Sequence, residues 1–266
     1  MLYFKIFHTK TNYLKITFLG TGTSQGIPVI ACKCEVCQSS ASKDKRLRTS
    51  VMIQENNQVI IIDSGPDFRQ QMLRENVQDI DAIVFTHEHK DHIAGLDDIR
   101  AFNFFNNKVV DIFAEKRVHT ALKREYAYVF EKEKYPGVPE ICLHEISNRK
   151  FYIGNLEFIP IRLQHYFLPI FGYRIKDFTY ITDANYISNE EIEKIKDSKV
   201  VVLNALRRKK HISHFTMSEA LQLFEILKPE KGYITHLSHQ MGLHKNIEQE
   251  LPANIFPAFD GLEIEI

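Results

Sequence analysis

The stretch Ile80-Asp81-Ala82-Ile83-Val84-Phe85-Thr86-His87-Glu88-His89-Lys90-Asp91-His92 decides how the chain is read. Its opening run, Ile80 to Phe85, is apolar and rich in β-branched residues, which predicts a buried strand. The hexapeptide His87 to His92 therefore sits on a turn leaving the carboxyl end of a strand, where α/β sheets place their sites. Its imidazoles and carboxylate are nitrogen and oxygen ligands suited to zinc, manganese or iron. His87 and His89 point to one side of an extended turn, while Asp91 and His92 are displaced toward a second point. One hexapeptide can thus serve two metals about 3.5 to 4 Å apart, the separation used in two-metal hydrolysis.

Composition bounds the rest. The 266 residues are 44% hydrophobic, enough to bury a sizeable core without disulfides or an oligomeric partner. Lys plus Arg equals Asp plus Glu at 34 each, so the whole molecule has no bias toward nucleic acid or membrane surfaces. Any attraction for an anionic substrate must be local. Lys5, His8, Lys10 and Thr11 interrupt the only candidate targeting segment, and no stretch approaches transmembrane length. These features predict a cytoplasmic protein. Residues 1–13 are expected to be an N-terminal extension, an extra edge strand or a frayed end, ahead of one domain spanning 14–266.

Three of the four cysteines are packed as Cys32-Lys33-Cys34-Glu35-Val36-Cys37. Disulfides between such close neighbours have poor geometry, and a C-x-C-x2-C cluster more naturally holds a soft metal as thiolates. Cys142 stands alone and reads as a buried small hydrophobe.

Along the chain, Leu14–Leu19 reads as a strand running into the glycine-rich turn Gly20–Gly26, which lets the backbone pass close under the site. Val51–Gln54 and Gln58–Ile62 form a hairpin that delivers Asp63-Ser64-Gly65. A helix is expected from Asp91 through Arg100, then a strand over Val109–Phe113. Arg117–Lys134 is a long amphipathic segment. With Phe102, Phe104 and Phe105 it makes an aromatic-rich insertion beside the site, as lid, dimer contact or core. In the second half, Leu156–Leu163, Phe171–Ile175, Phe178–Thr182, Lys199–Leu203 and Tyr233–Thr235 read as strands. Met217 to Leu227 follows the helical period, opened by a Thr216/Glu219 capping box. Two runs of strands, each backed by helices, predict an α/β fold: a four-layer αββα sandwich.

The hexapeptide resembles the H-x-H-x-D-H signature of the metallo-β-lactamase superfamily, whose members are mostly hydrolases with that sandwich. The resemblance implies a further histidine past the midpoint, an acidic residue at a strand end and a final histidine. His165, Asp183 and His236 answer in that order. By the resemblance, His87, His89 and His165 hold one metal, Asp91, His92 and His236 hold the other, and Asp183 bridges them. It assigns Asp63 to anchoring a ligand from behind. The run Thr235 to Gln240, with the cysteine loop, is similar to PhnP-type phosphodiesterases of the carbon–phosphorus lyase pathway. That family implies a structural zinc held by Cys32, Cys34, Cys37 and His239. It also implies that His214 stabilises a phosphorane-like transition state or protonates the leaving oxygen, with Asp91 counted beside it among the catalytic residues. Free N–H groups at the start of the following helix, and the basic run Arg207–Lys210, would add anion binding.

The expected activity is hydrolysis of a small phosphodiester, cyclic by preference, by a hydroxide bridging two zinc or manganese ions. A small anionic substrate is the expected partner, with no membrane, nucleic acid only as a substrate, and a homodimer left open. The alternatives are an RNA 3′-processing endonuclease of the tRNase Z type, a thioester or lactam hydrolase, and a non-catalytic binding member of the fold. No segment reads as a long tRNA-gripping arm, and Asn204-Ala205-Leu206-Arg207 matches no substrate-reading motif.

Overall fold

The structure, a computed structural model, describes residues 13–266. The extension expected over 1–13 therefore lies, but for Tyr13, outside the described residues. Two mixed sheets make up the centre. The first runs, in spatial order, Glu263–Glu265, Lys15–Gly20, Ser50–Glu55, Gln58–Ile62, Ala82–Val84, Val110–Ala114 and Ile141–Glu145. The second runs Tyr186–Ile187, Leu156–His165, Leu168–Ile175, Phe178–Tyr180, Val200–Asn204, Lys231–Thr235 and Ile255–Pro257, and Phe151–Ile153 pairs alongside Leu156–His165. The place beside the Lys15 strand is filled by the antiparallel Glu263–Glu265 strand.

Three apolar clusters explain the layering. One joins Phe18, Ile53 and Ile62 of the first sheet to Phe158, Tyr173 and Tyr180 of the second, so the sheets pack face to face. A second lies between the second sheet and the helices Asn189–Ile195, Met217–Leu227 and His244–Glu250. The third lies between the first sheet and the helices Phe68–Arg74 and Lys116–Glu125. The order is helices, sheet, sheet, helices: the αββα sandwich. Strands buried on both faces, such as Gln58–Ile62 and Val200–Asn204, read as continuous apolar runs because neither side meets water. Their parallel neighbours bring several carboxyl ends to one edge of the sandwich, and the titratable residues gather there.

The structure corrects four expectations. The helix predicted over Asp91–Arg100 is broken into Lys90–Ile93, a 3-10 turn at Leu96–Ile99, and a new helix at Arg100–Asn106. The break falls at Gly95, whose N–H donates to Ser64 O at 2.8 Å. There the chain crosses the Asp63-Ser64-Gly65 turn too closely for any side chain: a Cβ on Gly95 would lie 2.1 Å from Gly65 O, and one on Gly65 2.1 Å from Asp91 O. Cys142 is exposed, not buried. It lies on the edge strand, whose alternation turns Ile141 and Leu143 toward the core and Cys142 away. The amphipathic segment is helical only over Lys116–Glu125, with a 3-10 turn at Ala127–Val129. Ala121, Tyr126 and Val129 from this segment are core, whereas Phe104 and Phe105 stand out in solvent. The strand expected to run to Thr182 ends at Tyr180.

The Gly65–Gly95 contact fixes the turn that carries Asp63 against the His87–His92 hexapeptide. Gly95→Ala should destabilise the fold by about 1–3 kcal/mol, as overpacking does. Urea unfolding measures this, and a loss under about 0.5 kcal/mol would show that the two turns are not in fixed contact.

Candidate metal centre

Asp63, His87, His165, Asp183 and His236 lie at or just past strand ends, His89, Asp91 and His92 at the short helix Lys90–Ile93, and His214 on the loop before Met217. Three of these positions have a left-handed backbone. Asp63, Asp183 and His236 have φ of 65°, 60° and 56°. Asp and His tolerate this region better than β-branched residues, and such strain concentrates at functional sites. Buried Asn204 clamps one of these turns: its Oδ1 accepts from Ala184 N at 2.8 Å and its Nδ2 donates to Ala184 O at 2.9 Å. The Asn204 stretch that matched no substrate motif thus positions Asp183.

The donor atoms fall into clusters in which all lie within 4.8 Å of one another: His87, His89 and His165; Asp91, His92, Asp183 and His236; His165, Asp183 and His214; and Cys32, Cys34, Cys37 and His239. The expected ligands all fall within these clusters; Asp183 groups with His165 and His214, which links the first two clusters, and Asp63 stands outside all of them. The His87 and His92 rings are 4.1 Å apart at their centroids, so the two points served by the hexapeptide are adjacent.

Hydrogen bonds set the imidazole tautomers. Asp63 Oδ2 lies 2.7 Å from His92 Nδ1 and also accepts the Thr86 hydroxyl proton at 2.8 Å. A threonine has one such proton, so Thr86 Oγ1 must accept from His87 Nδ1 at 3.0 Å. His165 Nδ1 lies 2.8 Å from Ser213 O, which can only accept. His87, His92 and His165 are therefore all anchored through Nδ1, leaving Nε2 to face the centre. Asp63 also accepts from Thr86 N, so one buried carboxylate orients two histidines, the first directly and the second through Thr86.

This arrangement fits divalent metal ions. Nε2 of His87, Nε2 of His92 and both ring nitrogens of His236 are buried without a hydrogen-bond partner, each at a cost of about 1–3 kcal/mol. His92 Nε2 stands 3.2 Å from Asp183 Oδ2 and 3.3 Å from Asp91 Oδ2, and His236 Nε2 stands 3.1 Å from Asp183 Oδ1. Lone pairs facing lone pairs at such distances require positive charge between them, either protons or metal cations. The charge balance agrees. Burial alone would depress His92, but Asp183, Asp91 and Asp63 outweigh it and raise its pKa well above the usual value. Burial would raise Asp183, yet His236, His92 and His214 hold it well below the usual carboxylate range. His87, buried and beside His92, is pushed well below its usual value and offers a neutral nitrogen.

The cysteine cluster fits a closed tetrahedral zinc. His239 Nδ1 lies 3.2, 3.3 and 3.7 Å from the Sγ atoms of Cys32, Cys34 and Cys37. Zinc–sulfur and zinc–nitrogen bonds at a tetrahedral angle place S and N about 3.6 Å apart. Cys37 N donates to Cys34 Sγ and Val29 N to Cys37 Sγ. The first of these bonds is the main cause that lowers the Cys34 thiol to about 6, while burial raises Cys37 to about 11. A cation among these sulfurs would favour the thiolate at both.

His214 Nε2 lies 3.2 Å from Asp183 Oδ1, and its ring stacks on His236 at 4.9 Å. Burial, opposed by Asp183, lowers it to about 4. Most of the N–H groups expected to be free for an anion at the following helix are already spent. Phe215 N donates to Ala184 O, Thr216 N to Glu219 Oε2, Met217 N to Arg207 O and Glu219 N to Thr216 Oγ1. The capping box, forecast correctly, consumes Thr216 N and Glu219 N, and the Ala184 and Arg207 carbonyls take the other two. The basic run is also partly spent: Arg208 is paired with Glu250, and Arg207 bonds the carbonyls of Lys209 and Lys210. The sequence reading passed over Thr86, Asn185 and His211. Thr86 adjoins the hexapeptide and Asn185 lies two residues past Asp183, so proximity to a ligand was the available signal. His211 Nδ1 lies 3.1 Å from His214 Nδ1, a contact made by loop geometry alone.

The chain is similar to several known proteins. Residues 58–237 match the model of the β-lactamase superfamily domain. A crystal structure described as a new diphosphatase from the PhnP family is 37% identical, with a TM-score of 0.89, covering 95% of this chain and 98% of that one. A Porphyromonas gingivalis protein named octanoyltransferase is 38% identical over 253 residues, 94% of this chain and 51% of that protein. Ribonuclease Z of Staphylococcus epidermidis is 26% identical over 170 residues, 61% of this chain and 49% of that enzyme. The chain thus spans about half the length of these two curated relatives.

Two measurements follow from the donor geometry. Asp63→Asn keeps the left-handed turn but loses the carboxylate behind His92, so metal affinity should fall about 10- to 100-fold, read by competition with a chelating dye. Unchanged affinity would remove Asp63 from the centre. Cys34→Ser should lower both bound zinc and the melting temperature. A full zinc complement at unchanged stability would contradict the tetrahedral site.

Proposed function

This chain belongs to the metallo-β-lactamase superfamily, with PhnP-like relatives, and from that premise we propose that it hydrolyses small phosphodiesters. The superfamily makes it a metal-dependent hydrolase; the phosphorus substrate and the role of each residue are our reading. His87, His89 and His165 would hold one divalent ion, and Asp91, His92 and His236 a second, with Asp183 between them. Two such ions would lower the pKa of water and neutralise charge building on a substrate oxygen.

The observation that carries the phosphorus reading is His214. Its Nε2 faces the centre beside Asp183 without belonging to either of the two principal donor clusters. Kept neutral by burial, it can donate one hydrogen bond to an oxygen of the substrate. A phosphodiester is anionic throughout, and its transition state spreads more charge over oxygen. That charge would draw the imidazole toward its protonated form, so His214 gains donor strength as the leaving oxygen develops. Ser213 Oγ and His211 Nδ1, at 3.0 and 3.1 Å from His214 Nδ1, hold the ring in place from behind. Asp91, partly open to solvent, completes one ligand set and adds negative charge beside His92.

A diphosphate bridge is a phosphoanhydride, not an ester, but it offers the same anionic phosphorus to attack, and the neighbour described as a diphosphatase supports including such substrates. RNA 3′ processing is the second reading, supported by the similarity to ribonuclease Z over part of the chain.

The test compares bis(p-nitrophenyl) phosphate, a ribosyl 1,2-cyclic phosphate, a dinucleoside diphosphate and a tRNA precursor with a lactam and a glutathione thioester. Phosphodiester or diphosphate turnover should dominate. His214→Ala should lower kcat by about 10²- to 10⁴-fold with metal content unchanged. Faster turnover of the lactam or thioester, or undiminished kcat in His214→Ala, would overturn the reading, and preference for the tRNA precursor would favour the second one.

A further inference from the structure

Next to His165 the chain turns between two strands through Tyr166 and Phe167, and both rings face solvent. Tyr166 is 50% exposed and Phe167 80%, and Ile212, across a cleft, is 68% exposed. The cleft between His89, His165, Tyr166, Phe167, Ile212 and Ser213 has a volume of about 420 Å³. It is the apolar approach to the imidazole cluster. Large side chains left in water at such a place gain nothing from folding.

The backbone is arranged to keep them there. Tyr166 has φ of 57°, a left-handed conformation that favours glycine or asparagine, yet a bulky aromatic is held in it. Asn185 fixes both walls: its Oδ1 accepts from Tyr166 N at 2.8 Å, and its Nδ2 donates to Ile212 O at 3.1 Å. His165 Nδ1 binds Ser213 O, tying the same two walls together from within the centre. The Tyr166 and Phe167 ring centroids lie 3.9 Å apart with their planes at 49°, a corner rather than a flat patch. A corner of this size, opening onto the metal-ligand cluster, is too small for a protein interface.

We propose that Tyr166, Phe167 and Ile212 form a subsite for a planar aromatic group of the substrate, of the nucleobase class, carried on the sugar esterified to the phosphorus that is attacked. The subsite rests on the phosphodiesterase reading above and narrows it from any small phosphodiester to one bearing a base. Base-on-aromatic stacking supplies the affinity, and the walls fixed by Asn185 supply the spacing from base to phosphate. Asn185 acts as a positioning residue.

The chain contains no tryptophan, so Phe167→Trp introduces a single tryptophan at the subsite, excitable apart from the 11 tyrosines. AMP should quench it saturably on metal-loaded protein, while ribose 5-phosphate and hexyl phosphate should not. In parallel, Phe167→Ala should lower kcat/KM for 2′,3′-cyclic AMP relative to that for a ribosyl 1,2-cyclic phosphate by about 5- to 100-fold, mainly through KM. Absence of quenching by AMP, equal quenching by hexyl phosphate, or equal loss on both substrates would overturn the subsite. Quenching by AMP without hydrolysis of either ester would keep the subsite and overturn the reaction.

Discussion

The organising constraint is a buried carboxylate, Asp183, surrounded by imidazoles at contact distance. His92 and His236 both turn Nε2 toward it, and His214 approaches the same side as His236. Burying such a group costs several kcal/mol unless positive charge accompanies it. The rest of the centre supplies places for that charge. The Nδ1 anchors from Asp63, Thr86 and Ser213 fix which nitrogen faces inward, and the left-handed turns at Asp63, Asp183 and His236 aim the donors. Protons and metal ions compete for the same lone pairs, so metal affinity at this centre falls as pH falls.

The sandwich serves this constraint in two ways. Parallel strands in both sheets end at one edge, so residues far apart in sequence meet there without long loops. Close backbone crossings then lock the turns. Gly65 against Gly95 sets the Asp63 turn on the hexapeptide, and Gly22, paired with both Arg48 and Leu237, sets the first turn beside His236. The cysteine cluster works at the same edge, three residues beyond His236. A zinc there would hold the chain leaving the strand that ends at His236 against the loop from Cys32 to Cys37.

Much of this was legible in the sequence because it is local or periodic. The hexapeptide, the hairpin into Asp63, the capping box at Thr216 and the apolar runs of the central strands each carry their signal within a few residues. What escaped reading depends on contacts between distant segments. The break at Gly95 comes from a crossing with Gly65, which no helical period reports. Exposure of Cys142 depends on its strand being at an edge. The loss of free N–H groups around Met217 follows from Arg207 and Ala184 supplying carbonyls to the loop and helix start. Asn185 and Asn204 act only by bridging two loops, and their type alone is common in turns.

The account's central claim is that these donor clusters hold metal ions. Anomalous diffraction from crystals of protein purified with zinc, measured on both sides of the zinc absorption edge, tests it most directly. The account predicts one peak among Cys32, Cys34, Cys37 and His239, one among His87, His89 and His165, and one among Asp91, His92, Asp183 and His236. A map with no peak at Asp183 in fully zinc-loaded crystals would contradict it.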